Sequence, residues 1–101
     1  MANVYWVTFR IAEKRNYEGR YEDLLNTLKA LSGGMWWVEP TSFALFASDH
    51  DIDTIAEEVK SSFDPEMDLA LIGMPDFKTA RAVGAIKDKD LFQFMPFTKK
   101  V

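Results

Sequence analysis

Six apolar segments follow one another along this 101-residue chain, and the spacing of apolar side chains within each segment predicts a strand or a helix. Residues 4–11 (VYWVTFRI) are rich in β-branched and aromatic residues, a composition typical of strands. A polar loop at residues 12–20 leads to an apolar stripe at helical spacing, formed by Tyr21, Leu24, Leu25, Leu28 and Leu31. Gly33 and Gly34 predict the C-terminal end of that helix.

The middle of the chain predicts a hairpin and a second helix. Strand candidates at residues 35–39 and 43–48 are separated by the hairpin-sized connection Pro40-Thr41-Ser42. Asp51 suits the N-cap of a helix, whose apolar stripe contains Ile52, Ile55, Ala56, Val59 and Phe63. Residues 67–74 (MDLALIGM) are mostly apolar and predict a strand in the interior of the sheet.

The predicted order of elements is β-α-β-β-α-β, which is the order of the ferredoxin-like fold. We therefore expect a single α+β domain spanning residues 1–101, with one antiparallel sheet and both helices on one face. Residues 76–86 predict a short helix or an irregular segment. Residues 90–95 (DLFQFM) predict an extra C-terminal strand, and residues 97–101 a frayed tail.

Trp36 and Trp37 are adjacent, so on a strand their side chains point to opposite faces of the sheet. One indole is expected to enter the core beneath the helices. The other, with Trp6, would leave more apolar surface on the helix-free face than a monomer usually tolerates, so we expect a homodimer. Alternation leaves open which indole takes which face; we assign Trp36 to the interface and, on weaker grounds, Trp37 to the core. The predicted interface residues are Trp6, Trp36, Leu91, Phe92 and Phe94.

Composition narrows the kinds of function. The chain has no cysteine, which excludes disulfide scaffolds, cysteine nucleophiles and thiolate metal sites. Its net charge of −4 argues against a generally basic nucleic-acid binder. We expect no secretory signal, and no apolar stretch approaches the ~20 residues of a membrane helix. These features predict a soluble, cytoplasmic protein without membrane association or cofactor.

Four of the segments resemble a known family. VYWVTFRI, YEDLLNTLKALSG, WWVEPTSFALFAS and IDTIAEEVKSSFDPEMDLALIGM are similar to segments of the small SinR-labelled proteins. Those proteins are relatives of the Cas-two subunit of CRISPR adaptation and, more distantly, of VapD-type ribonucleases. The resemblance covers residues 4–75. Its most specific parts are the Trp-Trp pair after a glycine-terminated helix, Ser42 in the hairpin, and the Asp-Pro-x-x-Asp-x-Leu step into the fourth strand.

The resemblance implies a ferredoxin-like homodimer. In Cas-two relatives an aspartate at the end of the first strand lies near the dimer axis, and the two copies are proposed to hold a divalent metal for phosphodiester cleavage. The matching position here is Arg10. A guanidinium has only donors and stays charged, so it does not ligate a hard cation. Metal-dependent cleavage at that position is therefore not expected, and two arginines near a shared axis would require anions between them.

Basic and aromatic side chains are interleaved around the first loop. The candidate nucleic-acid-binding residues are Arg10, Lys14, Arg15, Tyr17 and Arg20. Such a pattern suits contacts to a phosphate backbone combined with base stacking. Glutamates among these residues dilute the charge, and an ordinary polar loop is the more frequent explanation.

The run Asp49-His50-Asp51-Ile52-Asp53 has the residue types of a metal cluster. An EF-hand loop begun at Asp49, however, would need glycine and glutamate where the chain has Thr54 and Lys60. Acids at a helix N-terminus are better explained as caps. We therefore predict no metal site, and because no nucleophile motif accompanies His50 we assign no catalytic residue.

The hypothesis that follows is a dimeric Cas-two/SinR-like protein with a nucleic-acid-associated or partner-binding role and without metal-dependent nuclease activity. Two alternatives stay open. One is a ribonuclease or endonuclease of the Cas-two/VapD type, metal-independent and using Arg10, Tyr17 and Ser42. The other is a dimer that binds a small ligand, which an apolar pocket with Arg10 as its single charged group would indicate.

Overall fold

The computed structural model describes residues 2–33 and 36–101. The elements, in chain order, are β1 (Asn3–Arg10), α1 (Tyr17–Ser32), β2 (Trp36–Trp37), β3 (Phe43–Ser48), α2 (Ile52–Ser62), β4 (Leu69–Met74), β5 (Phe77–Gly84), α3 (Asp90–Phe94) and β6 (Thr98–Lys100). The strands form a six-stranded sheet in the order β2-β3-β1-β4-β5-β6. The described chain is therefore an α+β structure. None of the described helices is long and apolar enough to span a membrane.

The strand pairing is antiparallel except at one edge. β1 pairs with β3 and β4, β2 pairs with β3, and β4 pairs with β5, all antiparallel, whereas β6 runs parallel to β5. The prediction of an antiparallel sheet is therefore wrong, and the sheet is mixed. A hairpin joins antiparallel strands, but parallel neighbours need a crossover connection. Residues 85–97, which contain α3, provide that crossover.

One face of the sheet is covered by α1 and α2. Along β1, Tyr5, Val7 and Phe9 alternate onto this face and are buried. They belong to one core together with the apolar stripes of both helices. The fully buried helical members of that core are Leu24, Leu28, Ile55, Ala56 and Val59.

The helix α1 begins earlier than the sequence predicted. Residues 17–20 belong to the helix rather than to the preceding polar loop. The backbone N–H of Arg20 donates to the carbonyl oxygen of Asn16 at 3.0 Å, which closes the first turn. The apolar stripe is a poor guide to this turn because Tyr17 is its one large partly apolar side chain.

The predicted helix boundaries at Gly33 and Asp51 are confirmed. Gly33 follows α1 with a φ of 64°, the left-handed conformation that favours glycine. Gly34 and Met35, predicted to lie in the helix end and the next strand, are outside the described residues. The Asp51 side chain accepts the Thr54 N–H at 2.8 Å and caps the N-terminus of α2.

Residues 76–86 were predicted as a short helix or an irregular segment, and this prediction is wrong, because they contain β5. Arg81 pairs with Ile72 and Val83 with Ala70, so both project onto the face that α1 and α2 cover. The alternate residues are Ala80 and Ala82. Alanine has low strand propensity, but pairing and burial in the sheet outweigh intrinsic preference.

The extra strand predicted at residues 90–95 is also wrong, since Asp90–Phe94 is the short helix α3. Leu91, Phe92 and Met95 are the partly buried positions of this segment. Their spacing of i, i+1 and i+4 is helical. A short apolar run fits either period, and only the tertiary context decides.

The tail predicted to fray is instead an ordered edge strand. Thr98–Lys100 forms β6 against β5, and the Val101 N–H donates to the Ala82 carbonyl oxygen at 2.8 Å. In this chain the C-terminal segment therefore pairs with its own sheet.

The crossover lies on the face opposite α1 and α2. The connection from β5 to β6 advances in the direction opposite to the connection from β1 to β2, while β5 and β1 point the same way. Both connections keep the usual right-handed sense only if α3 lies on the other face. Burial agrees: Ala80, Ala82 and Thr98 point to that face and are buried, and neither alanine belongs to the core under α1 and α2.

Candidate functional site: an apolar sheet face and a basic cleft

The half of the sheet that no described helix covers presents an apolar surface, which we call the open face. Its large side chains are Val4, Trp6, Trp37, Phe43, Leu45 and Leu71. Trp37 is 46% exposed and Val4 is 42% exposed. An apolar depression of about 290 Å³ lies beside them near the β2 edge of the sheet, and its lining also includes Trp36 and Phe46 from the helix side. Large contiguous apolar surfaces are often interaction sites, so the open face is a candidate for one.

The two adjacent tryptophans take opposite faces, but not as assigned from the sequence. Trp36 pairs with Phe46 and packs against the core under the helices, whereas Trp37 pairs with Leu45 on the open face. The register with β3 decides this, because Phe46 is buried and Leu45 is its outward neighbour. Trp36 is therefore not on the open face, and Trp37 is not in the core.

The Trp6 indole packs directly over β4 because its neighbour there is glycine. Trp6 pairs with Gly73 in the register of β1 and β4. A Cβ atom at position 73 would collide with the six-membered ring of the indole. Because glycine has no side chain, the indole can contact the backbone of β4 at this position.

At one end of the sheet, three cationic side chains line a depression of about 230 Å³, which we call the basic cleft. Its lining consists of Arg10, Ala12, Lys14, Glu66, Met67, Ala85 and Lys87. The cations come from different parts of the chain: Arg10 ends β1, Lys14 lies in the first loop, and Lys87 follows β5. All three residues are exposed.

The cations of the basic cleft are free of ion pairs within the described residues. The ion pairs in residues 2–33 and 36–101 are Arg15–Asp64 at 3.9 Å, Arg20–Asp68 at 2.5 Å and Arg81–Asp53 at 2.6 Å. The acidic member of the lining is Glu66. Since three like charges converge with one opposing charge, the cleft carries an excess of positive charge in a chain whose net charge is −4.

A buried carboxylate organises the wall of the basic cleft. The side chain of Asp68, fully buried, accepts hydrogen bonds from the Ala12 N–H at 2.8 Å, the Asp64 N–H at 2.9 Å and the Arg20 guanidinium at 2.5 Å. Its carbonyl oxygen accepts the Ala85 N–H at 2.8 Å. One residue therefore ties together the first loop, the start of β4 and the segment after β5.

Arg20, predicted to bind nucleic acid, instead helps Asp68 to hold the wall of the basic cleft. It is buried, and besides Asp68 its guanidinium donates to the carbonyl oxygens of Ala12 at 3.0 Å and Arg15 at 2.9 Å. A guanidinium committed in this way does not reach an external phosphate. No local pattern predicts this role, because the partner carboxylate lies 48 positions further along the chain.

The remaining predicted nucleic-acid residues divide into two groups. Arg10 and Lys14 meet in the basic cleft. The Arg15 side chain is 84% exposed and points to Asp64. Tyr17 packs against the core and against Tyr21, with ring centroids 6.0 Å apart, and so lies away from the cleft on the helix side of the sheet.

The groups named for the two alternative functions are not brought together. The Ser42 carbonyl oxygen accepts the Phe9 N–H at 3.1 Å, which continues the β1–β3 ladder. Strand alternation then directs the Ser42 side chain to the helix side, away from Arg10. The depression beside Arg10 also contains Lys14, Lys87 and Glu66, so it is not an apolar pocket with a single charged group.

The acidic run around His50 serves the N-terminus of α2. Asp51 caps the helix, and the His50 N–H donates to the Ser48 hydroxyl at 3.1 Å. The His50 carbonyl oxygen accepts the Tyr5 hydroxyl at 2.7 Å. In the part of the chain that the structure describes, no group of three or more His, Cys, Asp or Glu side chains is placed to hold a metal ion.

Lys87 is the residue of the cleft that the sequence analysis missed. It stands in the mixed run Lys87-Asp88-Lys89, which gives no local signal of a binding site. Its position next to Arg10 depends on β5, which brings the chain back alongside β4 and β1. Only a correct prediction of β5 would have placed it.

Comparisons with known proteins add no relative. No protein-family model, no curated protein and no solved structure matches the chain.

Proposed function

We propose that the chain forms a ferredoxin-like homodimer, of the SinR-like and Cas-two-related type, that binds nucleic acid without metal-dependent cleavage. The observation that carries the proposal is the position of Arg10. It stands exposed at the end of β1, beside Lys14 and Lys87 and outside the ion pairs of the described residues. The resemblance implies a metal-binding aspartate at this position, and arginine changes the preferred ligand from a cation to an anion.

The arrangement of the first six elements supports the ferredoxin-like part of the proposal. They come in the order strand, helix, strand, strand, helix, strand. β1 lies between β3 and β4 in the sheet, so each helix connects two strands across one intervening strand. β5, α3 and β6 would then be an extension added after the sixth element.

The open face supports the homodimer. Trp37 and Val4 are large apolar side chains with about half of their surface exposed, and they border a depression that is almost entirely apolar. A second copy offers a surface of the same shape and character, as two-fold interfaces require. Burial of aromatic side chains is the main source of affinity in such interfaces.

Nucleic acid suits the basic cleft because phosphate oxygens are acceptors and the cleft offers guanidinium and ammonium donors. We expect oligonucleotide binding that weakens as salt rises, since each neutralised phosphate releases a counterion. Arg10→Ala and Lys14→Ala should each lower the salt dependence of log K by about one contact. Lys78→Ala, at an exposed lysine at the other end of β5, is the matched control.

The experiment that tests the proposal combines oligomeric state with nucleic-acid binding and cleavage. Light scattering of the full chain at micromolar concentration should give twice the chain mass. Trp37→Glu should give one chain mass, whereas Phe77→Glu, at an exposed aromatic outside the open face, should not. RNA and DNA should bind and remain intact with or without Mg²⁺ or Mn²⁺. A monomeric wild type, or cleavage that EDTA abolishes, would refute the proposal.

A further inference from the structure

The charge of the basic cleft indicates the charge of its ligand. Arg10, Lys14 and Lys87 contribute three positive charges and Glu66 one negative charge, a net charge of +2. A phosphodiester inside a nucleic-acid strand carries one negative charge. A terminal phosphate, which has one ester bond, carries about −1.5 to −2 at pH 7. The charge of a terminal phosphate therefore balances the charge of the cleft.

The size and shape of the cleft favour the same group. It has a volume of about 230 Å³ and is bounded by four chain segments, namely the end of β1, the first loop, residues 66–67 before β4 and the segment after β5. A continuous strand needs a groove that tracks several phosphates. A single depression at the end of a sheet suits one phosphate group at the end of a strand, with its three unesterified oxygens directed toward the three cations.

The backbone segments that carry Lys14 and Lys87 are held in position before any ligand binds. The Asp68 carboxylate fixes the Ala12 N–H at 2.8 Å, which sets the course of the loop that carries Lys14. The Asp68 carbonyl oxygen fixes the Ala85 N–H at 2.8 Å, two residues before Lys87. Because both walls are tied to one buried residue, little backbone ordering remains to oppose binding.

We propose that the basic cleft binds the terminal phosphate of a nucleic-acid strand, through Arg10, Lys14 and Lys87. This inference rests on the proposed nucleic-acid binding and names the group that the site recognises. Free phosphate and mononucleotides share the same dianionic chemistry, so they should compete for the cleft. Lys87 adds a third cation from a segment distant from the first loop. We expect it to provide the preference for a terminal phosphate.

The test compares fluorescence anisotropy of labelled single-stranded oligonucleotides of one sequence with a 5′-phosphate, a 3′-phosphate or hydroxyl ends. We expect at least one phosphorylated end to bind about tenfold more tightly than the hydroxyl-ended strand, the size expected for added charge-assisted hydrogen bonds. Inorganic phosphate and a nucleoside monophosphate should remove this preference at constant ionic strength. Sodium chloride of equal ionic strength should leave it in place.

Two variants assign the effect to the cleft. Lys87→Ala changes an exposed side chain outside the core, so the fold should persist by circular dichroism while the preference for the phosphorylated end falls to near one. Lys78→Ala should retain the full preference. Equal affinity for all ends in the wild type overturns this inference and leaves nucleic-acid binding standing. Failure to bind any oligonucleotide overturns both proposals, and an unchanged preference in Lys87→Ala overturns the assignment to this cleft.

Discussion

At the scale of single residues, Asp68 has the largest structural consequence of any polar group described. It is fully buried, and its carboxylate is the acceptor for two backbone N–H groups and the Arg20 guanidinium. A buried charge is tolerated when it is paired and its lone pairs are used. Both conditions hold here, so the ion pair and the loop depend on each other.

We expect Asp68→Asn to destabilise the protein by about 3–5 kcal/mol, because it leaves the buried Arg20 guanidinium without a counter-charge. Urea unfolding followed by circular dichroism measures this. Asp76→Asn removes an exposed carboxylate between β4 and β5 and should change stability by no more than about 0.5 kcal/mol. A loss below about 1 kcal/mol for Asp68→Asn would show that the pair contributes little.

Gly73 is the second residue whose identity is dictated by a neighbour. We expect Gly73→Ala to push the Trp6 indole off β4 and to cost about 1–3 kcal/mol, the usual range for an overpacked contact. Fluorescence in a Trp36→Phe, Trp37→Phe background reports on Trp6 alone and should shift to longer wavelength. An unchanged emission maximum would mean that the indole does not lie over this glycine.

At the scale of elements, the N-terminus of α2 is held by two carboxylates that do different work. The Thr54 N–H, donating to Asp51, holds the pKa of Asp51 below its ordinary value. The Arg81 guanidinium, donating to Asp53 at 2.6 Å, does the same for the pKa of Asp53. The contact between Arg81 and Asp53 joins β5 to α2, so it ties the strand that follows β4 to the helix layer.

The pH dependence of stability follows from these directions. A carboxyl whose folded pKa is depressed stabilises the fold above its unfolded pKa, about 4, and loses that contribution as the pH falls through the folded pKa. We therefore expect Asp53→Asn to lower stability at pH 7 more than at pH 3, measured by urea unfolding at both values. Glu57→Gln, at an exposed acid on α2, is the control. Equal losses at both pH values would contradict the assignment.

The elements that the sequence predicted well are those whose own residues decide them. β3 occupies residues 43–48 as predicted, and α2 begins after its Asp51 cap, because alternation and capping are local signals. The predictions for β5 and α3 were wrong because the structure of these segments depends on distant parts of the chain. Ala80 and Ala82 fit a strand only because a crossover covers them, and that crossover depends on a parallel pair with β6. Local sequence holds no information about such a partner.

The residues of the candidate site also fall into two groups, those that the sequence predicts and those that only the fold places. Arg10 and Lys14 are close in sequence, so the first loop could be recognised as basic before any fold was known. Distant segments decide the other two residues. The position of β5 places Lys87 in the cleft with Arg10 and Lys14, and Arg20 is instead bound to Asp68. The faces of Trp36 and Trp37 likewise depend on which residue of β3 each one pairs with, which alternation alone does not determine.

At the scale of the whole molecule, the C-terminal segment completes the sheet and shields part of it. β6 covers the edge of β5 with a strand that carries Lys99 and Lys100, and charged edges discourage pairing with other chains. The burial of Ala80, Ala82 and Thr98 indicates that the connection between β5 and β6 covers this part of the sheet. Phe94 is 83% exposed on α3 and contributes little to that cover.

We expect a chain that ends at Gly84 to be less stable and to aggregate, because it would expose the edge of β5 together with Ala80 and Ala82. Static light scattering during heating should show aggregation at a lower temperature than for the full chain. Phe94→Ser keeps the segment and removes only an exposed aromatic ring, so it should behave like the wild type. A truncated chain as resistant as the full one would show that the crossover is dispensable.

The position of α3 on the opposite face from α1 and α2 also limits how far association can proceed. A flat sheet with one bare side and two bare edges could stack and extend into open-ended arrays. Here Ala80, Ala82 and Thr98 are buried on one half of that side, and β6, at the adjacent edge, carries Lys99 and Lys100. In the proposed homodimer the two open faces would cover each other. Neither copy would then keep an open face for a third copy, and association would stop at two.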